Sequence, residues 1–366
     1  MKLHRRLAFL TLSVLLWAGL VGAPAHAQSS GTPAPGTAAQ GTAAPGTAAP
    51  GTAAQGTQDS VARIMSAVVG IKAAIDPKAR TAESLGTTRE GTGVLIGTDG
   101  LVVTIGYLIL EATKVEVVDV DGKWIAADIV AYDHNTGFGL LRARSPIAGT
   151  VMELGASAGL AREDAVMVIS RIGARPAMGA LVADRREFAG YWEYLLQDAI
   201  FTVPPHPQFG GAALIDRSGR LVGIGSLIVG DAVKADTPVP GNMFLPIDAL
   251  KPIMDELVAN GRTQAPKRPW LGIYSEDNGG RVVVARVAKD GPAEAAGIKP
   301  GDVIVGVGGR RVADMADFYR KIWSTRMPGD AVPIDLVPFG TTELAIKRIP
   351  VSSRDRYDWL RLGKGE

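Results

Sequence analysis

The sequence predicts a mostly β chain on three observations. Apolar runs of strand length recur through residues 94–223, turn-forming steps separate them, and a helix follows the series. Residues 94–105 form two runs around Thr98-Asp99-Gly100, residues 115–131 a pair around Asp121-Gly122, and residues 214–223 a pair around Ser218-Gly219. Asp-Gly and Ser-Gly steps between β-rich runs supply the left-handed backbone that tight hairpin loops demand. Regular strand spacing with few helical patterns argues for a β-barrel or sandwich region. The helix is expected over residues 249–260, with Asp248 at its N-cap and Gly261 just beyond its end.

Composition narrows the function. The 366 residues are 46% hydrophobic and 21% charged, which suits one or two globular domains. Basic and acidic residues nearly balance, 39 against 37, so charge makes no case for nucleic acid. The absence of cysteine excludes disulfides, thiolate metal ligands, thiol nucleophiles and a lipidated cysteine. Four histidines occur, and His4 and His26 fall in the leader.

That leader reads as an export signal over residues 1–27. Lys2, Arg5 and Arg6 precede an apolar stretch at 7–21, and Ala25-His26-Ala27 predicts cleavage before Gln28. The apolar stretch is short for a membrane span of about 20 residues, which favours cleavage over an uncleaved anchor. A periplasmic location and no membrane span after cleavage are therefore expected. Residues 28–58 carry a Gly-Thr-Ala-Ala-Pro/Gln pentad repeat. With no large apolar side chains it cannot bury a core, and it reads as a tether.

Ordered motifs then carry a family resemblance. Gly91-Thr92-Gly93-Val94-Leu95-Ile96 is followed by Asp99-Gly100, Val103-Thr104, Leu154-Gly155-Ala156-Ser157 and Val166-Met167-Val168-Ile169. Gln197-Asp198-Ala199, Gly219-Arg220-Leu221-Val222-Gly223-Ile224 and Met243-Phe244-Leu245-Pro246 continue the series. Collinear over residues 61–262, this set resembles the protease domain of HtrA/DegP-type periplasmic serine proteases. The resemblance implies a trypsin-like double six-stranded β-barrel over residues 59–262.

A second module is expected over residues 266–352, followed by a tail at 353–366. Trp270-Leu271-Gly272-Ile273 resembles the carboxylate-binding loop and strand of an α+β PDZ domain. Gly291-Pro292-Ala293 and Ala296-Gly297-Ile298-Lys299-Pro300-Gly301-Asp302-Val303-Ile304 resemble that family's core signature. The resemblance assigns peptide binding to the backbone N–H groups of Leu271, Gly272 and Ile273. Ile273 with Phe318 and Ile322, four apart on one helical face, would form the apolar wall. Trp270 either closes one end of the groove or belongs to the core.

The catalytic positions depart from the family pattern. A serine protease needs a hydroxyl nucleophile, an imidazole base and a carboxylate that orients the imidazole. The histidine segment reads Val103-Thr104-Ile105-Gly106-Tyr107, which puts Tyr107 at the base position. A phenol with an ordinary pKa near 10 cannot serve as base at neutral pH. The stretch from Asp133 to Leu141 puts Gly137 at the carboxylate position, and Asp133 reads as a turn residue. The nucleophile falls on Gly210 if the downstream strand is matched without a gap, or on Phe209 if the Gly-Gly pair is matched. Pro204, Pro205 and Pro207 remove N–H donors from the loop that would build an oxyanion hole.

Three losses in an otherwise intact framework point to a catalytically degenerate member that binds peptides or protein C-termini. An endopeptidase is the alternative that the family implies. His134 and His206, which flank former triad segments, are the candidates for a metal, since imidazole suits transition ions. No cofactor is expected. A homo-oligomer stays open, although residues 59–64 lack the aromatics through which the family commonly trimerises.

Overall fold

The computed structural model describes residues 60–324, 326–341 and 345–360. The expected export signal and pentad-repeat tether, residues 1–58, and residues 361–366 of the tail lie outside the described residues.

Six strands close the first barrel. They are β1 (Val68–Ile75), β2 (Thr88–Leu95), β3 (Leu101–Ile105), β4 (Ala112–Val118), β5 (Trp124–Tyr132) and β6 (Phe138–Ala143), in the order β1-β2-β3-β6-β5-β4. The Asp-Gly steps fall where the chain reverses. Gly93 pairs with Thr104 across the first hairpin and Val118 with Trp124 across the second. β3 is buried at every position, without the alternation of a half-exposed strand. Its Val102 pairs with Leu141 of β6, and both are fully buried in the core.

The second barrel comprises β7 (Ala165–Ile169), β8 (Ala177–Gly190), β9 (Tyr194–Val203), β10 (Ala213–Ile215), β11 (Leu221–Val233) and β12 (Val239–Pro246). It closes in the order β10-β11-β12-β9-β8-β7 around Val168, Ile200, Leu214 and Phe244. β8 and β9 run well past the barrel as a long hairpin, pairing from Leu181–Val203 out to Gly190–Tyr194.

The closing helix is shorter than the sequence pattern predicts. Two 3-10 turns, Ile247–Ala249 and Lys251–Ile253, precede α2 (Met254–Asn260), where α1 is the short helix Ala82–Leu85. Pro252 has no N–H to give to an α-helical ladder, so the α-helix starts beyond it. Asp248 is therefore not its N-cap. Its carboxylate instead accepts from Ala158 N at 2.8 Å and from Lys251 Nζ at 2.7 Å. Gly261 does close the helix, in the left-handed conformation at φ 72°.

The remaining strands form one sheet of order β13-β14-β15-β17-β18, with a short β16 paired to β15. Their ranges are β13 (Ile273–Asp277), β14 (Val282–Val287), β15 (Val303–Val307), β16 (Arg310–Arg311), β17 (Ala331–Val337) and β18 (Lys347–Ser352). Two helices cover it, α3 (Pro292–Ala295) and α4 (Met315–Trp323). α4 buries Met315, Phe318, Tyr319 and Ile322, a helical stripe, and Asp314 caps it by accepting from Asp317 N at 2.7 Å.

The tail continues into α5 (Arg356–Leu360). Trp270 and Arg354 exchange backbone hydrogen bonds, Trp359 packs on Trp270 with ring centroids 4.3 Å apart, and Tyr357 Oη donates to Tyr132 O at 2.7 Å. The tail thus ties the second module to the first barrel.

Leu141 is fully buried in the first barrel. Leu141→Ala should lower unfolding stability by about 2–5 kcal/mol through lost burial and an unfilled cavity, read from the urea midpoint. A loss below about 1 kcal/mol would mean that the barrel collapses around the gap.

Candidate functional site

The three positions expected to be catalytic are gathered at the junction of the barrels. Tyr107 sits on a 3-10 turn (Gly106–Leu108) directly after β3, clamped by the buried Arg89, whose Nη1 donates to Tyr107 O at 2.7 Å and Leu110 O at 2.8 Å. Gly137 lies in the turn before β6, and its carbonyl accepts from Gly106 N at 2.8 Å. Gly210 lies in the loop between β9 and β10, and its carbonyl accepts from Thr92 N at 2.9 Å. These backbone bonds join the segments without any help from the three side chains.

Gly210 is the residue that meets Tyr107. A Cβ added at Gly210 would stand 3.0 Å from the phenol oxygen. Phe209 precedes it and gives its carbonyl to Ala212 N at 3.0 Å. The Tyr107 hydroxyl donates to Ser226 O at 3.0 Å, at the break in the β11–β12 register. Burial pushes the phenol well above its ordinary value near 10, so it stays protonated and offers a donor where a base would be needed.

Gly137 has φ 88°, a left-handed backbone that L side chains adopt only under strain. A Cβ there would point at Tyr194 Oη and Leu245 Cδ1, 3.3 and 3.4 Å away. Asp133 is occupied within its own turn, with its Oδ2 accepting from Thr136 N at 2.8 Å and Thr136 Oγ1 at 2.6 Å.

The nucleophile loop is held by His206, which is fully buried. His206 N donates to Asn242 Oδ1 at 2.6 Å, and the ring Nδ1 accepts from Gln208 N at 3.1 Å. Nε2 therefore carries the proton and donates to Arg175 O at 3.0 Å. Both ring nitrogens are committed, and so is one N–H of the loop that would build an oxyanion hole.

His134 lies elsewhere, between the Tyr132 and Tyr357 rings at 4.6 and 4.0 Å. Burial first, then the Arg356 charge, hold it well below its ordinary 6.5. The two imidazoles share no hydrogen-bond or ring partner. Among the described residues no cluster of three or more His, Asp or Glu could hold a metal.

The Leu271–Ile273 loop leads into β13, while Phe318 and Ile322, expected on the groove wall, are fully buried in the core. Gly272, at φ 77°, turns the Leu271–Ile273 loop so that successive N–H groups converge. The loop is braced by Ala293 N to Leu271 O at 2.9 Å and Ala288 N to Gly272 O at 2.8 Å. Its donors are engaged by the Glu193 carboxylate, which accepts from Leu271 N at 3.0 Å and Ile273 N at 2.8 Å.

Phe318 and Ile322 share that core with Ile273, beneath the sheet of the second module. The helix residue that reaches across the groove is Tyr319, whose hydroxyl donates to Gly190 O at 2.8 Å. Trp270 packs against Trp359, Leu110 and Ala288, a cluster separate from that core.

Sequence reasoning did not single out Glu193, Tyr191 or Tyr319. The available signal was Tyr191-Trp192-Glu193-Tyr194, three aromatics and an acid concentrated in one turn between long strands.

Fold and cleft together define a class: a trypsin-like peptidase domain followed by a PDZ domain. Residues 91–224 match the trypsin-like peptidase domain and residues 269–337 the PDZ domain. The two domains in this order, with the relatives below, support an HtrA-type protein with one PDZ domain. It is 26% identical over 273 residues to a probable periplasmic serine endoprotease DegP-like of Bartonella henselae, covering 69% of this chain and 51% of that protein. It is 28% identical over 278 residues to a serine protease Do-like HtrA of Lactobacillus helveticus, covering 68% and 66%. The chain thus spans between about half and two thirds of the length of these relatives. A solved structure of a variant of the HtrA-type protease AlgW with a tripeptide superposes with TM-score 0.50 at 21% identity, covering 82% of this chain and 97% of that one, which shows the fold. Among the described residues no helix is long and apolar enough to cross a membrane.

The Glu193 carboxyl carries a pH dependence. Burial pushes it up from its ordinary 4.5 to about 7, against the lowering pull of the three backbone N–H groups and of Arg356. Tyr319 beside it is itself pushed up and stays neutral. A carboxyl raised in the docked state favours docking fully below its undocked value. That contribution shrinks as pH rises from about 4.5 to about 7. Protection of the Leu271 and Ile273 amides, corrected for intrinsic exchange, should therefore be greater at pH 5 than at pH 8. Equal protection at both would show that the carboxyl titrates normally.

Proposed function

We propose that this chain is a non-proteolytic HtrA-like protein of the cell envelope that binds peptides or protein C-termini through its PDZ domain, as an adaptor, chaperone or regulator of protein quality control. One observation carries the loss of proteolysis. Gly210, Tyr107 and Gly137 stand where the resemblance expects the family's serine, histidine and aspartate; a Cβ at Gly210 would stand 3.0 Å from the Tyr107 phenol oxygen, and that phenol is spent on Ser226 O. Neither glycine offers a nucleophile or a carboxylate, and a protonated phenol cannot take a proton at neutral pH. Placement in the periplasm rests on the leader pattern and on the periplasmic names of several relatives. Peptide binding is supported by the Leu271–Ile273 donor loop beside an edge strand, the arrangement by which extended peptides with a free carboxylate are held.

Two outcomes are expected. The purified chain should leave unfolded casein uncut and should not react with a fluorophosphonate probe. Labelling of any barrel serine would overturn the proposal.

Restoring Tyr107→His, Gly137→Asp and Gly210→Ser together should still give little casein turnover. Residue 137 has a left-handed backbone, and Gln208 N is already bound to His206. Robust turnover by the triple variant would show that the loop can form an oxyanion hole and that residue 137 can orient an imidazole.

A further inference from the structure

The β8–β9 hairpin is far longer than barrel closure requires, and its tip enters the PDZ groove. The tip is Tyr191-Trp192-Glu193, between the paired residues Gly190 and Tyr194, and Glu193 takes the left-handed backbone at φ 55°. That turn aims its carboxylate inward, where only 7% of the residue remains exposed.

The tip reproduces two marks of a PDZ ligand. Its carboxylate takes the donors of Leu271 and Ile273 at 3.0 and 2.8 Å. Its main chain caps the open edge of β13, because Tyr191 O accepts from Ser275 N at 3.0 Å. Among the described residues β13 pairs only with β14, so this is the edge that an added strand would use.

Further contacts line up along the same groove. Tyr319 Oη donates to Gly190 O at 2.8 Å and lies 3.0 Å from Ser275 Oγ. Ala189 and Leu195, on the two strands flanking the tip, pack against the PDZ core. Arg320 of α4 pairs with Glu187 of β8. On the far side Arg356 Nη1 donates to Trp192 O at 3.1 Å.

We infer that the β8–β9 hairpin is an internal ligand of the PDZ groove, with Glu193 standing in for the terminal carboxylate of a peptide. An external peptide with a free C-terminus then binds only by displacing Glu193 and Tyr191, and its binding releases the hairpin. The groove is self-occupied at rest, and the barrel supplies the occupant. This deepens the peptide-binding reading above and rests on it.

A chain whose binding-competent state is a minor population shows an affinity reduced by that fraction. Removing the internal carboxylate removes the competition. The test compares the full chain with its Glu193→Ala variant, using fluorescein-labelled octapeptides ending in a free Val or Leu carboxylate and the same peptides amidated. Amide exchange at Leu271, Ile273 and Ser275 is read in parallel without peptide.

Glu193→Ala should bind the free-carboxylate peptides at least about 10-fold more tightly than the unmodified chain, as expected when a competing state is removed. It should not bind the amidated ones, and its three amides should lose protection. Equal affinity in the two chains, or unchanged protection in Glu193→Ala, would overturn the internal ligand. Protection that falls while neither chain binds any peptide supports the internal occupant and counts against the peptide-binding reading instead. Glu193→Gln keeps the side-chain volume without the charge and serves if the alanine variant fails to fold. It should shift affinity and protection in the same direction by a smaller factor, and no shift in either would overturn the inference.

Discussion

A buried carboxylate among converging backbone N–H groups is the constraint on which the placement of the second domain depends. Glu193 in an apolar setting is costly unless its oxygens accept hydrogen bonds, and the Leu271–Ile273 amides are costly to bury without an acceptor. Each requirement meets the other across the domain boundary. Hydrogen bonds to an ionised acceptor are stronger than neutral ones, so the loop N–H groups and Arg356 oppose burial, which still wins and leaves the carboxyl raised to about 7. The rest of the interface follows its geometry. Tyr319 reaches the Gly190 carbonyl, Ala189 and Leu195 reach the PDZ core, and Trp192 O meets the tail through Arg356.

The junction of the barrels is held by the main chain. The segments carrying residues 107, 137 and 210 are joined by main-chain bonds, Thr92 N to Gly210 O and Gly106 N to Gly137 O among them. Close approach there depends on missing side chains. A Cβ on Gly211 would fall 1.9 Å from Thr92 O, and one on Gly91 would fall 2.9 Å from Gly210 O. The fold therefore needs glycines and apolar barrel interiors, and places no demand on a histidine, an aspartate or a serine. In the same region the Tyr107 hydroxyl donates to Ser226 O and the His206 Nδ1 accepts from Gln208 N.

Legibility followed the range of the interaction concerned. The hairpins at Asp99-Gly100, Asp121-Gly122 and Ser218-Gly219 were readable because turn chemistry and strand pattern are local. The stripe on α4 was readable as a helical face, yet its geometry decided that Phe318 and Ile322 face the core while Tyr319 reaches the groove. The helix before Gly261 was overextended because the apolar pattern continues through Pro252, where the ladder cannot. His134 and His206 flank similar segments in the sequence but occupy unrelated surroundings, one between tyrosine rings and the other inside a loop.

The sequence alone determined the strand-rich class, the order of the two modules, the residue types at positions 107, 137 and 210 and the Leu-Gly-Ile pattern at 271–273. All of these are local patterns or collinear motifs, which a chain carries before it folds. Only the tertiary structure decided what fills that loop. Glu193 lies 78 residues from Leu271, and nothing local in the Tyr-Trp-Glu-Tyr turn specifies a partner. The contact exists because two long strands carry a left-handed turn out of one barrel and into another domain's open edge, a meeting that depends on where every intervening element has packed.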